Sequence, residues 1–255
     1  MTAPLFSLEG RLALVTGSGQ GIGLGLAAGL AEHGAAVVLN GRSAESTGNA
    51  AGALRRRGRT AHVAVFDVTD FDAVDEAVER IERDIGPIDI LINNAGIQHR
   101  APLDEFPEAE WRRLIDTNVS GVFHVGKAVA RHMIARRRGK IINIGSVQSE
   151  LARPRIAPYA ATKGAVRNLT RGMCADWARH GLQVNAIAPG YFRTALNEAL
   201  FEDPEFSTWL TQRTPAGRWG NVDELVGAAV FLASDASSFV NGHTLYVDGG
   251  VTATV

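Results

Sequence analysis

The chain holds a single cysteine, Cys174, so no intrachain disulfide can form and a disulfide-stapled secreted scaffold is excluded. Cys174 reads as a small apolar core residue. Net charge is nearly absent: 26 Lys and Arg stand against 27 Asp and Glu, which leaves −1. No field of one sign exists to attract nucleic acid or an anionic membrane surface. The 7 histidines form no H-x-x-x-H and no cluster with cysteine, so no metal site is expected. Long apolar runs are missing too. The richest stretch, 21–39, is broken by Glu32 and His33, which rules it out as a membrane span. The opening MTAPLFSLEGR has neither a basic start nor an apolar core, so it is not a secretory leader and a cytoplasmic location is expected.

What the chain does have is alternation. Short runs rich in β-branched residues and leucine fall at 12–16, 36–40, 61–66, 88–93, 140–144, 183–188 and 244–247. Most are nearly continuous apolar runs, the pattern of strands covered on both faces. Amphipathic helical patterns fill the gaps at 22–33, 44–57, 71–85, 108–136, 159–179 and 222–233. Strand and helix alternating in this way predict an α/β fold: one doubly wound parallel sheet with helices on both faces. No linker or repeat divides the 255 residues, so a single domain spanning 1–255 is expected. Two arginine triplets, 55–57 and 136–138, fall at predicted helix C-termini, where the helix dipole favours positive charge. The segment 190–215 carries Tyr191, Phe192, Phe201, Phe206 and Trp209 without a strand pattern, and it follows a strand end. Ligands in open α/β sheets bind beyond such ends, so the segment is expected to be a substrate lid.

The 28 glycines matter by position. After the first strand runs Thr16-Gly17-Ser18-Gly19-Gln20-Gly21-Ile22-Gly23, the pattern T-G-x-x-x-G-x-G between a strand and a helix. Such glycines let the backbone turn sharply and approach a pyrophosphate, and the helix start offers it free N–H groups. The second strand ends in Asn40-Gly41-Arg42, with no acid to hold a ribose 2′-hydroxyl. Gly41 is expected to leave space and Arg42 to clamp a 2′-phosphate, which favours NADP, with NAD as the alternative.

Tyr159 and Lys163 form Y-x-x-x-K on a predicted helix, one turn apart on one face. An ammonium beside a phenol is expected to lower its pKa and make it a usable acid/base. Ser146 follows a strand end and can polarise a substrate oxygen. Asn118, inside the long helix 108–136, completes the set as a holder of a water leading to Lys163.

Together Thr16-Gly17, Gly21-Ile22-Gly23, Asn93-Asn94-Ala95-Gly96, Asn118, Ser146, Tyr159-x-x-x-Lys163 and Pro189-Gly190 resemble the short-chain dehydrogenase/reductase family, over residues 8–250. The resemblance implies a single Rossmann-type domain, commonly a homotetramer, that moves hydride to or from nicotinamide. Its catalytic residues would be Asn118, Ser146, Tyr159 and Lys163. Its cofactor contacts would be Gly17, Ser18, Gln20, Gly21, Ile22 and Gly23 in the turn, then Asn40 and Arg42. Asp67 and Val68 would lie at the adenine, and Asn94, Ala95 and Gly96 at the ribose and pyrophosphate. Tyr159 and Lys163 would touch the nicotinamide ribose, and Pro189, Gly190, Phe192 and Thr194 the nicotinamide.

Narrower runs are Ile97-Gln98, Ser146-Val147-Gln148-Ser149-Glu150-Leu151, Ala188-Pro189-Gly190-Tyr191-Phe192, 213–220 and the tail Asp248-Gly249-Gly250. These resemble the members of that family that interconvert D-gluconate and 5-keto-D-gluconate. A small anionic polyol or sugar acid needs one cation and several hydrogen-bonding groups. Arg100 is the first candidate for its carboxylate. Gln148, Glu150 and Tyr191 are candidates to read hydroxyls beside Ser146 and Tyr159; Arg153 and Arg155 are weaker cationic candidates. The alternatives are a 3-oxoacyl thioester reductase or another polyol dehydrogenase of the same family, and, less in keeping with a complete tetrad, a non-catalytic dinucleotide sensor.

Overall fold

The computed structural model describes residues 4–254. Its sheet has 7 parallel strands: β1 (Leu12–Val15), β2 (Ala36–Gly41), β3 (Ala61–Val65), β4 (Ile88–Asn93), β5 (Gly139–Ile144), β6 (Leu182–Pro189) and β7 (Thr244–Val247), in the order β3-β2-β1-β4-β5-β6-β7. This is the doubly wound Rossmann-type arrangement expected from the alternation. The principal helices are α1 (Gly21–Glu32), α2 (Ala44–Arg56), α3 (Phe71–Asp84), α4 (Glu108–Ile115), α5 (Gly121–Arg136), α6 (Ala157–Trp177), α7 (Glu198–Phe201), α8 (Pro204–Arg213) and α9 (Val226–Ala233).

Period-two alternation along the strands divides the core. Ala13 and Val15 of β1 face Leu26 and Leu30 of α1 and Val230 of α9. Leu12 and Leu14 face the other way, toward Val74, Val78 and Ile81 of α3 and Val125, Val129 and Met133 of α5. The nearly continuous apolar runs thus exist because both faces are covered. Leu14 is fully buried. Leu14→Ala should therefore destabilise by about 2–5 kcal/mol, read as a lower urea midpoint with an unchanged slope.

Both arginine triplets end helices and serve structure. Arg55 donates to the Ala61 carbonyl at 2.8 Å, Arg136 to that of Ile88 at 3.0 Å, and Arg138 pairs with Asp89 at 2.5 Å.

One helical expectation is corrected. The pattern at 108–136 is not one α-helix: a π-helical turn, Asp116–Ser120, separates α4 from α5. The side chain of Asn118 is the local cause. It is buried and pairs with both backbone groups of Ile97, accepting from N–H at 2.8 Å and donating to the carbonyl at 2.9 Å. Widening the helix by one residue lets it reach there without moving the apolar faces on either side.

The order of the sheet reverses between β1 and β4, and the cleft opens beyond the carboxyl ends of the strands at that point. The segment 190–215 forms a turn at Ala195–Asn197 followed by α7 and α8. Asp203 caps α8 by accepting from Glu205 and Phe206 N–H. Its aromatics gather on Trp219: Phe201 at 5.5 Å, Tyr191 at 5.9 Å and Phe206 at 6.2 Å between ring centres. Trp219 itself is buried.

Candidate active site

The glycine turn is held from beneath by two side-chain amides, those of Asn40 and Asn94. Gly17 has φ +61, and a Cβ there would stand 2.8 Å from the Ala95 Cα. A Cβ on Gly23 would stand 2.5 Å from the Gly17 carbonyl oxygen, so α1 packs on the turn only as glycine. Asn94 donates to the carbonyls of Thr16 and Gly17 at 2.9 and 3.0 Å. Asn40 accepts from Gly17 N–H at 3.3 Å and donates to Ala64 and Phe66, both at 3.1 Å. Its amide is thus occupied in tying the turn to β3. Asn40 nonetheless lines the cleft, whereas Ser18 does not reach it: Ser18 is fully buried, and its hydroxyl donates to the Val15 carbonyl at 2.7 Å.

The start of α1 is open. Gln20 makes no side-chain cap and the first turn holds no acid. Gln20, Gly21, Ile22 and Gly23 line the cleft, as do Asp67, Val68, Asn94, Ala95 and Gly96. Unpaired N–H groups at a positive dipole end, beside space where side chains would stand, fit a pyrophosphate. At the mouth, Arg42 is 76% exposed and has Asp67 as its ion partner, at 3.8 Å. Ser43 and Ser46 line the cleft beside it, which sequence reasoning missed. The space beside Gly41 is not empty as expected: Thr47 Oγ1 lies 2.8 Å from where a Cβ would be. The cleft continues outward past Gly41, along Arg42 and the two serines.

Beyond β5, Ser146 caps a short turn by accepting from Gln148 N–H at 3.1 Å. Tyr159 and Lys163 sit on the first turns of α6, begun by Pro158. Lys163 Nζ donates to the Ile144 carbonyl at 2.8 Å and lies 5.7 Å from the Tyr159 ring centre. Asn118 also donates to Thr162 at 3.1 Å, and Thr162 donates to the Tyr159 carbonyl at 2.7 Å. Thr162 went unread in the sequence because a helical threonine carries no signal of its own. Asn118 does not line the cleft; its side chain positions Ile97 and α6.

The electrostatics correct a second expectation. Burial pushes the Tyr159 phenol up to about 12, against the lowering effects of the Ser146 hydroxyl and Arg100. Burial also brings Lys163 down to about 8. Desolvation therefore outweighs any help from the ammonium, and the phenol stays protonated at neutral pH.

The whole cleft has a volume of about 670 Å³, and its inner end is lined by Arg100, Arg153, Gln148, Tyr191, Ser146 and Tyr159, with Pro189, Gly190 and Thr194 also in the lining. Gln148 donates to the Tyr191 hydroxyl at 3.2 Å. Nε and Nη2 of Arg100 and Nε of Arg153 are buried without a hydrogen-bond partner, and Gln148 Oε1 is likewise unpaired. Burial and the neighbouring Arg153 both lower the pKa of Arg100. Two like charges held together with open donors form a site for an anion. Two candidates point elsewhere. Glu150 pairs with Arg167 at 2.5 Å and accepts from Tyr246 at 3.1 Å, so its carboxylate is drawn toward α6 and β7 and away from the cleft. Phe192 turns into the core, where a bulky apolar ring is best buried. Arg155 is exposed and adopts φ 71, but its carbonyl accepts from Ala101 N–H at 3.2 Å, tying the Arg100 and Arg153 segments together. Among the described residues no cluster of His, Cys, Asp or Glu is placed to hold a metal ion, and no helix is long and apolar enough to cross a membrane.

A dinucleotide turn joined to Ser146, Tyr159 and Lys163 on one sheet has a counterpart among known proteins. The family model described as enoyl-(acyl carrier protein) reductase matches residues 17–252, and the chain belongs to the short-chain dehydrogenase/reductase family. Within it, the chain is 66% identical to the gluconate 5-dehydrogenase of Gluconobacter oxydans (strain 621H), with 98% of each chain covered. It is 57% identical to the 5-keto-D-gluconate 5-reductase of Escherichia coli (strain K12), covering 98% of this chain and 99% of that one. The crystal structure of a gluconate 5-dehydrogenase from Burkholderia cenocepacia J2315 in complex with NADP and tartrate is similar, with a TM-score of 0.97, 64% identity and 98% of each chain covered.

Proposed function

We propose that this chain is an NADP(H)-dependent oxidoreductase that interconverts D-gluconate and 5-keto-D-gluconate. The observation that carries the reading is the pair Arg100 and Arg153, whose unpartnered N–H groups share the inner cleft with Ser146 and Tyr159. A sugar-acid carboxylate satisfies those donors, whereas the acyl chain of a 3-oxoacyl thioester would bury them unpaired. The relatives named above support the same substrate. In this reading the turn and the start of α1 hold the pyrophosphate, Arg42 with Ser43 and Ser46 holds the 2′-phosphate, and the bound nicotinamide supplies or accepts the hydride. Ser146 donates to the substrate carbonyl and draws charge to its oxygen. Tyr159, protonated at neutral pH, gives that oxygen its proton. Lys163 anchors α6 to β5 and places a positive charge beneath the tyrosine. The segment 190–215 acts as the lid.

The test is oxidation of NADPH by 5-keto-D-gluconate beside acetoacetyl thioesters. Turnover of the thioester with none of the keto acid would sink the substrate assignment. Arg42→Ala should lower the ratio of kcat/KM for NADP over NAD by about tenfold or more, the size of a lost charged hydrogen bond. An unchanged ratio would remove Arg42 from the site.

The pKa shifts also fix a pH dependence. Reduction needs the Tyr159 proton and benefits from a charged Lys163. The phenol holds its proton to about 12, while Lys163 loses its own near 8. The kcat/KM for reduction should therefore be level at neutral pH and fall as pH rises through about 8. A profile flat to pH 10 would contradict this.

A further inference from the structure

Arg153 does more than face an anion. Its guanidinium stacks over the ring of Phe206 in α8, 5.3 Å from the ring centre. It also lies against the Tyr191 hydroxyl, lowering that phenol's pKa, while burial of Tyr191 raises it. Phe206 is packed at a tilt against Tyr191 at 5.7 Å and Trp209 at 5.4 Å. Arg153 is thus a cation of the cleft with neighbours on both sides: Arg100 on one, the aromatic cluster of 190–215 on the other. The bond from Ala101 N–H to the Arg155 carbonyl holds it there, beside the like charge of Arg100.

We infer that Arg153 couples the substrate's carboxylate to the lid. The inference rests on the proposed sugar-acid substrate. An anion between Arg100 and Arg153 removes their mutual repulsion and fixes the Arg153 guanidinium in one orientation. A fixed, planar cation is a better partner for the Phe206 face than one that is repelled and mobile. Binding the carboxylate therefore fastens α8 over the cleft, and a neutral ketone of the same length does not. Discrimination for acids comes from this closure as well as from direct pairing.

The experiment is amide hydrogen exchange across 204–213 in the NADPH-bound enzyme, with and without D-gluconate, a pairing that cannot turn over. Gluconate should slow exchange in the wild type. Arg153→Met, which keeps the stem and removes the charge, should abolish that protection and raise KM for 5-keto-D-gluconate about tenfold or more. Phe206→Leu keeps an apolar side chain and both arginines. It should lose the protection while raising KM less than Arg153→Met does. Protection that survives in either variant overturns the coupling. A wild type that reduces 5-keto-D-gluconate while its 204–213 amides ignore gluconate overturns it too, and leaves the substrate reading standing. A wild type with neither turnover nor protection overturns both.

Discussion

Tyr159→Phe is expected to lower kcat for 5-keto-D-gluconate reduction by about 10²–10⁴-fold, the usual worth of a placed general acid. The ring keeps its volume, so the start of α6 and the bond from Thr162 to the residue 159 carbonyl should survive. NADPH binding, followed by its fluorescence on titration, should stay within about twofold, a few tenths of a kcal/mol. What disappears is the proton that burial holds on the phenol up to about 12. Ser146 remains to polarise the carbonyl, so residual turnover should be measurable rather than zero. Activity within tenfold of the wild type would mean that another group delivers the proton.

Arg100→Met should raise KM for the keto acid by about 10–100-fold, the range for hydrogen bonds to a charged group. Its stability consequence separates a binding role from a structural one. Nε and Nη2 of Arg100 have no partner in the protein, and Arg153 repels it. Removing the charge leaves no protein acceptor unsatisfied and relieves a like-charge contact. The Tm of Arg100→Met should be equal to or above that of the wild type, the expected pattern where stability has been given up for a site. A fall of several degrees together with lost activity would mark Arg100 as a support of the fold. Arg136→Met should fall in that way, because Arg136 spans Glu82 and the Ile88 carbonyl.

The sheet was legible because its strands are buried on both faces, and apolar runs such as Leu12–Val15 have few other uses. The spacing of Tyr159 and Lys163 was legible for a similar reason: helical geometry converts four residues into one face. What escaped the sequence was direction. Glu150 looks as polar as Gln148, two residues away, yet Arg167 and Tyr246 lie far along the chain and draw it from the cleft. Asn40, near the end of β2, lines the cleft, but its second task, supporting the turn, was not legible. Only the fold places the Ala64 and Phe66 carbonyls where they claim its amide. Arg153 stood in the sequence as one arginine among several. Its value depends on Ala101 meeting Arg155, a contact between distant loops. The break at Asp116–Ser120 has no signature in composition, since a π-helical turn keeps the helical periodicity on either side.

The closed fit around the end of β2 constrains how this scaffold can be redesigned for the other nicotinamide cofactor. The familiar route writes an acid at that strand end to meet a bare ribose. At residue 40 a carboxylate would face the Ala64 and Phe66 oxygens with no proton to offer either. At residue 41 any side chain would run into Thr47 Oγ1. A single exchange therefore has a cost at both positions, and shortening residue 47 removes the one at 41: Thr47→Ala with Gly41→Asp should be tolerated better than Gly41→Asp alone, read as a higher Tm.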